Sequence, residues 1–222
     1  MYQLNFEPVF SNLDLLLYGA WLTVRLSLVA MVLGLVVSIL GAMAKTSTMP
    51  FLRWLVGVYV EVIRNTPFLV QIFFIFFGLP AIGISMSPNT AALVALVVNV
   101  GAYGTEIIRA GIESIPQGQI EAGRALSLSR MQIFRYIVIK PALRSIYPSL
   151  TSQFIYLLLT SSVVSAISAN DLASMGADLN AKTFASFEIY LVLSIMYFVL
   201  SLGFTSLFAV IRRLLFTYPL GR

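Results

Sequence analysis

A single polar, basic stretch interrupts an otherwise apolar chain. From Glu121 to Arg144 it reads EAGRALSLSRMQIFRYIVIKPALR, with Arg124, Arg130, Arg135, Lys140 and Arg144 between apolar runs on both sides. A segment of this kind reads as a loop with its own helix, held at a membrane surface. The runs around it set the rest of the fold. In 222 residues, 59% are hydrophobic and 10% charged, too little polar cover for a water-soluble domain of this size. One membrane domain over 1–222 is expected, with helices over about 15–44, 55–79, 89–109, 146–169 and 187–211 and a loop over 113–145. Lipid satisfies no backbone groups, so each span must be a helix. The runs lack the period-two alternation of a barrel.

Positive charge orients the spans. Lys45 and Arg53 lie between the first two helices, Arg109 borders the basic loop, and Arg212, Arg213 and Arg222 close the chain. The opposite side holds Glu7, Asp14, Asp171, Asp178 and Glu188 against Lys182. Loops rich in Lys and Arg stay cytoplasmic, which puts the N-terminus outside and the C-terminus inside. The opening MYQLNFEPVF has neither a basic start nor a small-residue cleavage site, so it does not read as a removed signal peptide. No internal repeat of the kind that builds secondary transporters is visible. Five spans are few for a complete pathway, so a second copy or a homologue is expected beside this chain.

Several chemistries are excluded. There is no cysteine and no histidine, which removes thiol chemistry and the commonest general base and metal ligand. Lys45-Thr46 follows Ala44 rather than glycine, so no phosphate-binding loop for ATP is present. No metal, cofactor or catalytic constellation is expected. The net charge of +5 sits between spans, not on a soluble face, and gives no reason to expect nucleic acid.

Within 121–136 there is no proline, and Ala, Arg, Leu, Met and Gln favour a helix. On such a helix Gly123 and Ser127 share a face, Leu126, Ile133 and Ile137 supply apolar contacts, and Arg124, Arg130 and Arg135 form a basic rim. The pattern fits either a docking helix or an amphipathic helix lying on anionic lipid.

Glu121, Ala122 and Gly123, then three residues, then Ser127 resemble the Glu-Ala-Ala-x-x-x-Gly loop of ABC importer permeases. VEVIRNTPFLVQ over 60–71, GAYGTEIIRAGIESIPQGQIEAG over 101–123 and GAWLTVRLSL over 19–28 are similar to signatures of the polar amino acid (or opine) permeases, the histidine/glutamine permease-like family. The resemblance spans nearly the whole chain. It implies an all-α membrane protein with the type I ABC importer permease fold: five transmembrane helices and a cytoplasmic coupling helix. It implies a multi-pass protein of the bacterial plasma membrane that is not itself an enzyme. The implied partners are a dimer of ATPase subunits, a second permease subunit, and a periplasmic or lipid-anchored substrate-binding protein. Docking to the ATPase falls to Glu121, Ala122, Gly123, Arg124, Ser127 and Arg130. Three departures stand out. Gly123 and Ser127 replace Ala and Gly, the family's proline after the coupling helix is displaced to Pro141, and Leu159-Thr160-Ser161-Ser162 stands where relatives carry Lys-Asp before Thr-Ser. The missing acid favours pairing with a homologue over pairing with an identical copy.

Intramembrane polar residues are costly and tend to face a cavity or a neighbouring helix. Glu61 with Arg64, and Glu106 with Arg109, have the spacing of ion pairs on one helix face, as structural links or as gate elements. Arg25 has no partner within a turn, which leaves Asp14 or Glu188 across helices. Pro67 predicts a kink in the second helix. Gln71, Asn99, Thr160, Ser161, Ser162 and Ser165 are candidates for an uncharged pathway for a zwitterionic solute, or else for helix–helix hydrogen bonds. Asn170 and Asp171 are expected to meet a binding protein or to cap the next turn. The function expected is an ATP-driven import permease working by alternating access. A passive channel or an ion-coupled secondary transporter is the alternative.

Overall fold

The structure is a computed structural model, and it describes residues 4–216. Arg222, assigned above to the inner side, lies outside the described residues. Those residues form ten α-helices: α1 Glu7–Phe10, α2 Leu13–Lys45, α3 Pro50–Arg64, α4 Phe68–Phe73, α5 Pro88–Glu113, α6 Gln117–Ala125, α7 Arg130–Gln132, α8 Ile139–Thr160, α9 Leu172–Thr183 and α10 Ser186–Leu215. Four continuous stretches are long and apolar enough to cross a membrane: Leu13–Lys45, Pro88–Glu113, Arg130–Ile167 and Ser186–Leu215. Val32, Leu40, Phe51, Trp54, Phe198 and Val199 are all exposed on the outside, as lipid-facing side chains are and as those of a water-soluble fold are not.

The centre is a seam between α2 and α5. One face of α2 carries Thr23, Ser27, Ala30, Gly34, Ser38 and Gly41, all buried. A Cβ on Gly34 would come within 2.7 Å of Val100 Cγ1, so the two backbones touch, as small residues permit in a membrane. Ser38 faces Gly104 and Gly41 faces Thr105. Residue numbers rise together along both helices, so α2 and α5 run parallel. The buried hydroxyls donate inward: Ser38 Oγ to Gly34 O at 2.7 Å and Thr105 Oγ1 to Gly101 O at 2.7 Å. Ile72, Ile75, Ala91, Ala95, Leu157 and Val164 build the surrounding apolar core.

The structure corrects the sequence reading in two places. The second span is broken, not kinked: Pro50–Arg64 and Phe68–Ile82 meet at 111°. Pro67 has no N–H and disfavours helix at Thr66, and its own ψ of 138° is extended. The expected helix over 121–136 stops at Ala125, and the next helix starts at Arg130 and runs into the fourth span. That span therefore begins well before residue 146. A π-helical turn, Ile133–Val138, absorbs the approach to Pro141, whose ring crowds the carbonyl one turn earlier. The segment after Asp171 is a helix, α9, and Asp171 caps it, one of the two roles expected for that residue. The helix opens on a capping box in which Asp171 Oδ1 accepts from Ser174 N at 2.8 Å and Asp171 N donates to Ser174 Oγ at 2.8 Å.

Candidate functional site

At the end of the bundle that holds Lys45 and Glu113, α6 folds back on the start of the fourth span. Its C-terminus closes in a Schellman turn. Leu128 N donates to Gly123 O at 3.1 Å and Ser127 N to Arg124 O at 2.9 Å, with Ser127 at φ 58°. This left-handed position is where glycine is cheapest, which gives a physical reason for the Gly of the Glu-Ala-Ala-x-x-x-Gly pattern. Ser127 is therefore a turn residue and does not share a helix face with Gly123. Gly123 is buried and points inward: a Cβ there would lie 2.6 Å from Ile137 Cδ1 and 3.1 Å from Ile133 Cγ1. Beneath it Ile115, Ile133, Val138 and Ala142 form a small core of their own, flanked by Ile120 and Leu128. Ser129 and Gln132 then cap the next helix reciprocally. Glu121, Ala122, Arg124, Ser127 and Arg130 are exposed on the elbow. So are two apolar side chains, Leu126 at 75% and Met131 at 72%.

Beside the elbow lies a charged network. Lys45 Nζ and Arg109 Nη2 grip the two oxygens of Glu106 at 2.6 and 2.7 Å, and Arg109 also binds Glu113. Glu61 and Arg64 do not pair with each other, contrary to the expectation from their spacing. Asn65 Nδ2 donates to Glu61 Oε2 at 3.0 Å, and the Arg64 guanidinium lies 5.5 Å from the centre of the Tyr103 ring. The helix break next to Arg64 turns it toward α5 rather than back along α3. Arg64, Tyr103, Glu106, Arg109, Ser145 and Ser149 line a cavity of about 420 Å³.

In the middle of the bundle the structure joins two of the expected pathway residues. Asn99 Nδ2 donates to Gln71 Oε1 at 3.0 Å, and Gln71 Nε2 donates to the carbonyls of Ile63 and Thr66 at 2.7 and 3.0 Å. Gln71 thus satisfies carbonyls that the helix break sets free, as a bilayer demands. The hydroxyls of Ser161, Ser162 and Ser165 donate to the carbonyls of Leu158, Leu159 and Ser162 of their own helix. Their donors are already satisfied, and among the described residues none of them hydrogen-bonds to Gln71 or Asn99. Thr160 lies just before them, half-buried.

The other end of the bundle is held by buried carboxylates. Asp171 Oδ2 accepts from Tyr197 OH at 3.0 Å, and Leu172 N donates to Thr23 Oγ1 at 3.0 Å. Burial pushes the Asp171 carboxyl up from its ordinary value, and the Ser174 and Tyr197 hydrogen bonds partly offset this. Glu188 is buried and accepts from Asn5 N at 2.7 Å. Asp171 is thus a helix cap. Arg25 meets neither Asp14 nor Glu188: among the described residues it has no ion pair or hydrogen bond.

Residues 19–216 match the family described as "Binding-protein-dependent transport system inner membrane component". The chain belongs to that family. Among its relatives, the L-cystine transport system permease protein TcyB of Bacillus subtilis is 32% identical over 97% of this chain and 90% of its own length. The glutamine transport system permease protein GlnP of Escherichia coli is 34% identical over 90% of this chain and 92% of its own. A crystal structure of an amino acid ABC transporter with histidines superposes with a TM-score of 0.89 at 33% identity, covering 96% of this chain and 99% of the other. The MetNI methionine transporter shares the fold, with a TM-score of 0.68 at 24% identity over 92% and 98%. The chain is a membrane permease subunit of an ABC importer, all-α and multi-pass in the inner membrane. Permeases of this family work with an ATPase and a substrate-binding protein.

Sequence reasoning missed three features of this permease. Lys45 joins Glu106 from a helix sixty-one residues away, and local spacing carries no sign of such a contact. Met131 passed unnoticed because the helix expected over 121–136 hid the turn that exposes it. The inward aim of Gly123 was masked because smallness reads the same on either face.

Proposed function

We propose that this permease carries polar amino acids or close analogues inward by alternating access, driven by an ATPase dimer that grips the elbow at α6. The elbow's construction supports this reading. It exposes Leu126 and Met131 inside a rim of Glu121, Arg124 and Arg130, and Gly123 keys it onto the helix that continues into the membrane as α8. Apolar side chains at this exposure need a cover, and a shallow cleft between ATPase lobes suits a short two-helix knob. A push on the knob passes through Ile133 and Val138 into the fourth span and through Ile115 into the end of α5. The permease supplies geometry and differential affinity, and the nucleotide supplies the energy.

The elbow then faces the cytoplasm, with the N-terminus outside, and α9 with its neighbours faces the binding protein. The amino-acid cargo is the chemistry named for the relatives. The second permease subunit is a homologue rather than an identical copy. Thr160 stands where relatives have an acid, and Ser161, Ser162 and Ser165 spend their hydroxyls on their own helix. This subunit therefore offers no ionic partner for an amine there.

The test is reconstitution with the ATPase, the second permease and the binding protein. Leu126→Asp with Met131→Asp should leave the permease folded in the membrane, detach the ATPase in pull-down, and abolish ATP-dependent uptake. Uptake by vesicles holding this chain alone, without nucleotide, would defeat the reading.

A further inference from the structure

At the end of the α2–α5 seam opposite the elbow is a cavity of about 250 Å³. Leu22, Leu26 and Leu93 form its apolar walls, and Arg25, Asn89 and Asn170 its polar side. Asn89 Oδ1 accepts from Asn170 N at 2.8 Å. With its oxygen occupied, the Asn89 amide presents its NH2. Neither side-chain NH2 of the two asparagines has a partner among the described residues, and Arg25 has none either. Three donors, one of them a full charge, thus converge on an open space with apolar walls. No carboxylate among the described residues balances them. Asp171 is committed to Ser174 and Tyr197, Glu188 accepts from Asn5, and Asp14 lies eleven residues back along α2, about 16 Å away.

Depth identifies the occupant. Lys45, paired with Glu106, marks the inner boundary of α2. Arg25 lies twenty residues earlier on the same helix, and twenty residues rise about 30 Å, the thickness of the hydrocarbon core. The guanidinium therefore sits at the level of the opposite headgroups. We propose that this cavity holds the phosphate of an anionic phospholipid of the outer leaflet. Arg25 is the counter-ion, Asn89 and Asn170 are donors, and the leucine walls lie against the glycerol and the first acyl carbons. A headgroup with its own ammonium finds no acid here, so phosphatidylglycerol is favoured over phosphatidylcholine. The assignment to the outer leaflet rests on the elbow facing the cytoplasm; the lipid site itself does not.

The experiment uses the whole transporter in nanodiscs of phosphatidylcholine with graded phosphatidylglycerol, read by native mass spectrometry. The wild type should retain phosphatidylglycerol, and Arg25→Gln should weaken that retention about five- to tenfold. Arg25→Lys should restore part of it, and Arg53→Gln on the other side should change nothing. If Arg25→Gln fails to assemble, Asn89→Leu reports on the same site and should also lose lipid. Equal retention by wild type and variants overturns the proposal. So does displacement of the lipid by millimolar inorganic phosphate, which would mark a small-anion site. Crosslinking of Arg25→Cys to the second permease subunit would make the cavity an interface and overturn it too. If the lipid is retained but nucleotide-driven uptake is absent, the transport reading fails and the lipid site stands.

Discussion

The α2–α5 seam and the α6 elbow both depend on glycine, but in opposite ways. In the seam, Gly34 and Gly104 let long parallel helices touch along their length, with Val100 and Ser38 filling the space where a Cβ would go. A change there has no direction in which to relax. In the elbow, the nearest atom to a Cβ on Gly123 is the far end of Ile137, with Ile133 Cγ1 next, and the core beneath it is small and edged by solvent. The seam is built as a fixed axis and the elbow as a joint. A membrane protein has little hydrophobic force with which to hold its helices together, so close fit must supply rigidity where rigidity is needed.

The largest effect should come from forcing the axis. Gly104→Val sets a branched side chain into Ser38 Oγ, and Gly34→Leu drives into Val100. Each should cost about 3 kcal/mol or more, seen as lost folded protein in detergent and a lowered melting temperature. If either variant folds normally and transports, the seam is not the rigid element. Gly123→Val should behave differently. Overpacking by about 1–3 kcal/mol is expected, yet the Ile133 and Ile137 ends can yield, so the protein should fold while its ATPase coupling fails. Gly123→Ala should retain part of the uptake. Equal damage from Gly123→Val and Gly104→Val, in fold and in transport, would erase the distinction.

Much of the axis was legible in the sequence, and less of the joint. Unbroken apolar runs over 15–44 and 89–109 leave no choice but helix in a bilayer, and α2 and α5 extend them by only a few residues. The basic stretch correctly marked the end of the bundle where chain reverses. Its internal shape did not follow from composition. The residues over 121–136 favour helix throughout, and what ends α6 is a single Ser in a left-handed conformation that serine rarely prefers. Pro67 announced a disturbance, but whether a proline kinks or breaks a helix depends on who satisfies the freed carbonyls. Here Gln71 does so from the next segment. Spacing alone suggested Glu61–Arg64, and the break moved Arg64 to Tyr103. For the serines near residue 160 the sequence leaves a solute pathway and helix–helix hydrogen bonds both open, because it cannot show that their hydroxyls bond to their own helix.

A smaller effect should appear where axis and joint meet. Lys45 ends α2, Glu106 and Arg109 lie near the end of α5, and all three are largely shielded from water, with exposures of 19%, 15% and 30%. Lys45→Met leaves Glu106 held by Arg109 alone. A coupling of about 1–2 kcal/mol between Lys45 and Glu106 is expected from a double-mutant cycle with Glu106→Gln. If the network is a structural clasp, melting temperature and uptake fall together. If it re-pairs during the cycle, uptake falls more than stability does, and ATP hydrolysis continues without transport. A cycle with no coupling would show that the pair contributes nothing to either.

The smallest effect sharpens the comparison most, because it should improve the joint without touching the axis. Ser127 holds φ 58° at the end of α6, a conformation that costs an L-residue about 1 kcal/mol and glycine almost nothing. Its hydroxyl makes no hydrogen bond among the described residues that would offset the cost. Ser127→Gly keeps both Schellman hydrogen bonds, since these are made by backbone groups of Gly123, Arg124, Ser127 and Leu128. It should therefore raise the stability of the elbow by up to about 1 kcal/mol, less the entropy glycine gains in the unfolded chain. Hydrogen exchange of residues 120–130 should slow, while the melting temperature of the bundle and the rate of uptake stay close to wild type. Ser127→Val, branched at Cβ, should do the reverse and loosen the turn, with ATPase affinity falling before stability does. If Ser127→Gly loosens the elbow instead, the serine hydroxyl is an ATPase contact or an anchor in its own right, and backbone geometry is not what the position selects for.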